Sequence, residues 1–96
     1  MATTNDIYAE MQRYAPLELA ESWDNPGLLV DCGREVSRVL VTLDITPEVV
    51  EEAAAGGCEL IVSHHPVIFH PLKKLTPRDV SFQLVQKGIS AICMHT

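Results

Sequence analysis

The chain has 96 residues, 47% of them hydrophobic and 21% charged, which is room for one small domain and too apolar for a disordered or collagen-like chain. Seven Lys and Arg against 13 Asp and Glu leave a net charge of -6, arguing against direct binding to nucleic acid or an anionic membrane, since both need a cationic footprint. No apolar run reaches the roughly 18–20 residues of a membrane span, and the opening MATTNDIYAE lacks the basic start and apolar block of a signal peptide, so the expectation is a soluble, cytoplasmic protein.

Residues 4–15 read as a helix, with Thr4 or Asn5 as its cap, Asp6 in the first turn, and Ile7, Met11 and Tyr14 on one face. Pro16 ends it. Trp23 reads as a packing anchor beside Asn25-Pro26-Gly27, a turn signal because Pro fixes φ and Gly accepts positive φ. Gly27 to Asp31 is then extended, and Cys32-Gly33-Arg34 turns again. The run from Arg38 to Leu43 is Val- and Leu-rich, as a strand covered on both faces would be.

From there the grammar is regular. Thr46 fits an N-cap and Pro47 the first helical position. The helix should run to about Ala55, with Val49, Val50, Ala53 and Ala54 inward and Glu48, Glu51 and Glu52 outward. Gly56-Gly57 stops it. A strand follows over 59–63, then a loop from His64 to about Thr76, a helix over roughly 78–87 stopped by Gly88, and a strand from Ile89 to Met94. The fold class is α/β: a parallel-sheet β-α-β-α-β core with flanking helices, an N-terminal helix and a short extra strand, all in one domain over residues 1–96.

Cys32, Cys58 and Cys93 are odd in number and lack a C-x-x-C spacing, so they read as reduced thiols, with Cys93 a core residue. The histidines carry more. All four (His64, His65, His70 and His95) fall in the last third of the chain. Parallel strands end on one edge, where open α/β sheets place ligands. Asp44 follows the first strand, the His64-His65 pair the second and His95 the third, so topology gathers residues that sequence separates.

Each has a plainer role. A His at a strand end commonly bonds a loop carbonyl, and an Asp before a helix is routine turn chemistry. Inside a strand, adjacent side chains face opposite ways. Just past the strand end, before Pro66, the backbone turns, and the two imidazoles can face one cavity, one for each of two metal ions. His64 and His65 are therefore the candidate metal ligands, with His95 and Asp44 as supporting or substrate-contacting candidates. Lys73 and Lys74, in the long loop with Phe69 and His70, could meet a phosphate, although solvated lysines are the commoner case. G-x-S-x-G, Walker, G-x-G-x-x-G and H-E-x-x-H patterns are absent.

Three strings resemble the Nif-three-like family, whose members are described as dinuclear metal-centre proteins or GTP cyclohydrolase I type 2 homologues. They are Trp23-Asp-Asn-Pro-Gly-Leu-Leu-Val30, Leu43-Asp-Ile-Thr-Pro-Glu-Val-Val50 and Ile61-Val-Ser-His-His-Pro-Val-Ile-Phe69. Pro71-Leu-Lys-Lys-Leu75 and the closing Ile89 to Thr96 fit the same pattern. The resemblance implies a two-metal site from the His pair, an Asp just beyond the His-Thr step, and a His and Glu near the family's C-terminus. His64 and His65 match the pair, His95 matches a neighbouring rather than ligating His, and Asp44 matches no family ligand.

The resemblance makes the chain the N-terminal part of a longer protein, a metal-dependent hydrolase of GTP cyclohydrolase or phosphoesterase type, with residues 1–96 inactive alone. It further implies two divalent ions (Zn, Fe, Mn or Ni), a small-molecule substrate of nucleotide type, and a homo-oligomer. The alternative is a non-catalytic metal-binding or regulatory interaction protein.

Overall fold

The computed structural model describes residues 2–13, 27–68 and 72–94. In chain order its elements are β1 (Ala2–Thr3), α1 (Thr4–Gln12), β2 (Gly27–Val30), β3 (Glu35–Val36), β4 (Val39–Thr42), α2 (Pro47–Ala55), β5 (Leu60–Ser63), α3 (Val80–Lys87) and β6 (Ser90–Cys93). The aliphatic runs pair as their composition predicts. β4 and β5 are parallel, β5 and β6 are parallel, and β2 joins β6 antiparallel, giving the order β2-β6-β5-β4. The expected β-α-β-α-β core is therefore present, with β2 as the short extra strand.

Register decides which side chains face which layer. Leu40, Ile61 and Ala91 lie on one face, level across β4, β5 and β6. They pack with Val50 and Ala53 of α2 and Leu84 of α3. On the opposite face Leu60 and Ile92 pack with Ile7, Tyr8 and Met11 of α1. A bulge between Leu28 and Val30 puts two β2 residues against one step of β6. Leu28 thereby reaches the α1 side while Val30 reaches the α2–α3 side.

Val39, Val41 and Leu43 are 42%, 77% and 60% exposed, which corrects the expectation that strand 38–43 is covered on both faces. Val39 and Val41 share the face of Leu60 and Val62, but α1 packs over β5 and β6 and leaves that side of the edge strand open. Composition reports a strand's apolarity; it does not report how far the covering helix extends.

The helix starts show which local chemistry wins. Thr3, not Thr4 or Asn5, caps α1, in a capping box where Asp6 accepts from the Thr3 amide and Thr3 Oγ1 accepts from the Asp6 amide. Those amide and hydroxyl contacts at Thr3 hold the Asp6 carboxyl below its ordinary value. Thr4 is freed for burial, donating to Ser90 Oγ at 3.3 Å, and Ser90 Oγ in turn accepts from the Cys32 amide at 3.0 Å. Ala2–Thr3 also pairs antiparallel with Glu35–Val36, a ribbon too short for periodicity to reveal. Thr46 caps α2 as expected, with Pro47 in its first turn. α3 begins at Val80, later than expected; Asp79 is its N-cap, but its carboxylate accepts from the Thr76 amide and hydroxyl and not from a helix amide. Tyr14, Pro16, Trp23 and Asn25-Pro26 lie outside the described residues.

Gly88 closes α3 at φ 69°, and a Cβ there would lie 2.9 Å from Arg34 Nη1. Arg34 can swing away, so backbone strain sets the cost. Gly88→Ala is expected to lower unfolding free energy by about 1–2 kcal/mol, the left-handed penalty for an L-residue, in urea denaturation.

Glu59 Oε1 accepts from the Ser37 amide at 2.7 Å, the Arg38 amide at 3.1 Å and Ser37 Oγ at 3.2 Å. Those bonds, led by the Ser37 amide, hold its carboxyl below the ordinary Glu value. A carboxyl lowered on folding contributes stability that is complete above its unfolded pKa and is lost as pH falls through the folded one. Glu59→Gln should therefore flatten the acid limb of a stability–pH curve; an unchanged limb would contradict this.

Candidate functional site

The parallel ladder does not stop where the strands do. The His64 amide donates to the Thr42 carbonyl at 3.3 Å and the His65 amide to the Leu43 carbonyl at 3.1 Å. These bonds carry the β4–β5 pairing past Ser63 into the exits of both strands. On the other flank, Met94 N donates to the Ser63 carbonyl at 2.8 Å. The carboxyl edge is thus zipped across all three parallel strands.

Side chains then fix the histidine carbonyls. Ser63 Oγ donates to the His65 carbonyl at 2.7 Å, and Cys93 Sγ donates to the His64 carbonyl at 3.3 Å. Each histidine consequently has both its amide and its carbonyl held. The rings sit beside each other with centroids 5.0 Å apart and planes inclined at 68°. Neither is sealed inside: His64 is half-buried, and the His65 side chain is 49% exposed.

Asp44 arrives from β4. Its carbonyl accepts from Thr42 Oγ1 at 3.1 Å, a short return bond that shapes the turn into α2. Its carboxylate Oδ1 then lies 2.6 Å from His65 Nδ1. The contact joins a ring nitrogen to a carboxylate oxygen, and an ionised carboxylate can only accept.

The structure therefore brings His64, His65 and Asp44 together at one edge. His95, like Phe69 and His70, lies outside the described residues. Lys73 and Lys74 are exposed. A cavity of about 510 Å3 lies apart from the strand exits, lined by Lys74, Thr76, Pro77, Arg78 and Asp79. Thr42, Ser63 and Cys93 hold the histidine pair, and sequence reading passed over all three in that role. The signal available was weak: a hydroxyl at the last position of two adjacent strands, where such groups bond nearby backbone.

Two imidazoles of this kind are suited to divalent transition metals. Among the described residues no group of three or more His, Cys, Asp or Glu side chains is gathered to hold a metal. Among the described residues His64 and His65 number fewer than the four donors usual for zinc. Among the thiols, Cys93 is buried, and burial raises the half-buried Cys32 thiol above its ordinary value, an unreactive setting.

Residues 2–96 match the sequence profile of the Duf34/NIF3 (NGG1p interacting factor 3) family. A Helicobacter pylori protein named GTP cyclohydrolase 1 type 2 is 42% identical over 101 aligned positions, covering 100% of this chain and 41% of the relative. The NGG1-interacting factor 3 of Saccharomyces cerevisiae is 34% identical, covering 99% of this chain and 38% of the relative. The crystal structure of a Staphylococcus aureus hypothetical protein superposes with a TM-score of 0.87 at 41% identity, over 95% of this chain and 32% of that one. The chain spans about two fifths of the length of the first two relatives.

Ser63 is 2% exposed and its hydroxyl bonds the His65 carbonyl. Ser63→Ala removes that bond, so a loss of about 1 kcal/mol is expected in chemical denaturation.

Proposed function

The chain belongs to the Duf34/NIF3 family, and from that premise we propose that it carries the histidine half of a metal-dependent hydrolase centre acting on a nucleotide of the GTP class. One observation supports this most: His64 and His65 stand side by side at the carboxyl edge of the sheet, with Asp44 bonded to His65. The name GTP cyclohydrolase 1 type 2, borne by a relative 42% identical to the chain, supports the reaction class.

In this reading His64 and His65 each give one imidazole to a divalent ion, and Asp44 fixes the His65 ring. A bound ion of this kind supplies Lewis-acid polarisation of a water and a substrate bond. The chain's part is placement. The ladder bonds to Thr42 and Leu43 set the spacing of the two rings before any ligand arrives, which avoids ordering them at the moment of reaction.

The two imidazoles found among the described residues fall short of a full donor set, so residues 1–96 assayed alone with zinc, manganese or iron(II) should not hydrolyse GTP. Within a full-length family member, the same stretch should support turnover, and His64→Ala with His65→Ala should reduce it at least about 100-fold, as loss of metal-holding groups does. Turnover that survives the double substitution would overturn the proposal.

A second reading, a regulatory binding protein without turnover, draws on the exposed stripe of Val39, Val41 and Leu43 and on the name of the yeast relative. Silence across nucleotides and phosphoesters by full-length protein with metal stoichiometrically bound would favour it.

A further inference from the structure

Three features carry chemistry that this reading leaves open: the cavity over Lys74–Asp79, the apolar edge of β4, and the effect of the Asp44 carboxylate on the His65 ring. The cavity is lined by loop residues and one helix start. The β4 edge exposes Val39, Val41 and Leu43, with no feature that selects an occupant. The carboxylate is different, because a defined bond joins it to a residue with metal-donor chemistry.

Asp44 and His65 are 56% and 49% exposed at the side chain, so their attraction contributes little to folding. Their geometry is nonetheless set from both sides by backbone. The Asp44 carbonyl is held by Thr42 Oγ1, and the His65 amide by the carbonyl of Leu43, the residue next to Asp44. The 2.6 Å contact is thus a product of the strand exits meeting. A bond that adds little stability but is placed by the ladder has one definite consequence, the choice of ring tautomer. In a neutral imidazole one nitrogen donates and the other accepts, and the partner of the first decides which.

We infer that Asp44 is a positioning residue: it holds the proton of His65 on Nδ1 and so presents Nε2 as the donor atom for a divalent ion. The inference rests on the reading of His65 as a metal donor. It adds which atom of His65 binds, and why the ring needs a carboxylate from a different strand. Removing such an outer partner costs about 10–100-fold in metal affinity. The ligand chemistry is that of a borderline divalent cation, since a neutral imidazole nitrogen favours those over magnesium or calcium.

The test uses the chain labelled with nitrogen-15, without metal, at a pH where its imidazoles are neutral. Two-bond proton–nitrogen spectra then read the tautomer of each ring directly. His65 is expected as the Nδ1–H form. Asp44→Ala should move it towards Nε2–H, and Asp44→Asn, whose amide can turn either edge to the ring, should fall between. Both substitutions are at an exposed side chain, and the methyl spectrum checks that the core is unchanged. Titration with cobalt(II) provides the second readout, through paramagnetic broadening of the His64 and His65 ring signals. Asp44→Ala should need about 10-fold more cobalt, or beyond, for equal broadening.

An Nε2–H ring in the unaltered chain, or the same tautomer and the same cobalt dependence after Asp44→Ala, would overturn the inference. A retained Nδ1–H ring that cobalt never broadens would support the Asp44 pairing and defeat the metal reading, so the two failures are distinguishable.

Discussion

Everything at the candidate site depends on the parallel pairing of β4 with β5 running on beyond the last strand residue. Val39 to Thr42 lie level with Leu60 to Ser63, and the next amides, those of His64 and His65, continue onto Thr42 and Leu43 carbonyls. Without those bonds the His pair would be the first two residues of a long loop. With them it is the last step of a sheet. A loop leaves backbone direction to be settled by ligand binding, whereas a ladder settles it at folding.

That constraint explains how distant residues cooperate. Asp44 and His65 are separated by α2 and β5, yet they meet because both leave the same edge of adjacent strands. The core beneath is what keeps the edge in line. Leu60, Ile61, Ala91 and Ile92 are almost wholly buried and alternate between the two layers. A one-residue slip of β5 would turn Ile61 towards α1 and carry the histidines to the wrong side. The hydrophobic pattern that specifies the fold therefore also specifies the site.

Much of this was legible in the amino-acid order. The aliphatic runs, the Thr46-Pro47 start and the Gly88 stop each act through local chemistry, and each lies where its residues suggest. The gathering of Asp44 with His64 and His65 followed from the parallel reading alone. Other features depend on partners remote in sequence. The Thr3 cap and the β1–β3 ribbon are short devices that periodicity does not register. The openness of Val41 depends on where α1 comes to lie, and the roles of Ser63 and Cys93 depend on which carbonyls the turn presents. Burial and polar satisfaction are properties of the assembled layers, so single residues announce them poorly.

The most direct measurement is the through-hydrogen-bond scalar coupling between the His65 amide nitrogen and a carbonyl carbon, read by NMR on the labelled chain. The account predicts a resolved coupling to Leu43, matched by one from His64 to Thr42. Coupling to some other carbonyl, or His65 exchanging its amide as fast as an open loop, would mean that the strand exits are not joined and that the histidine pair has no framework behind it.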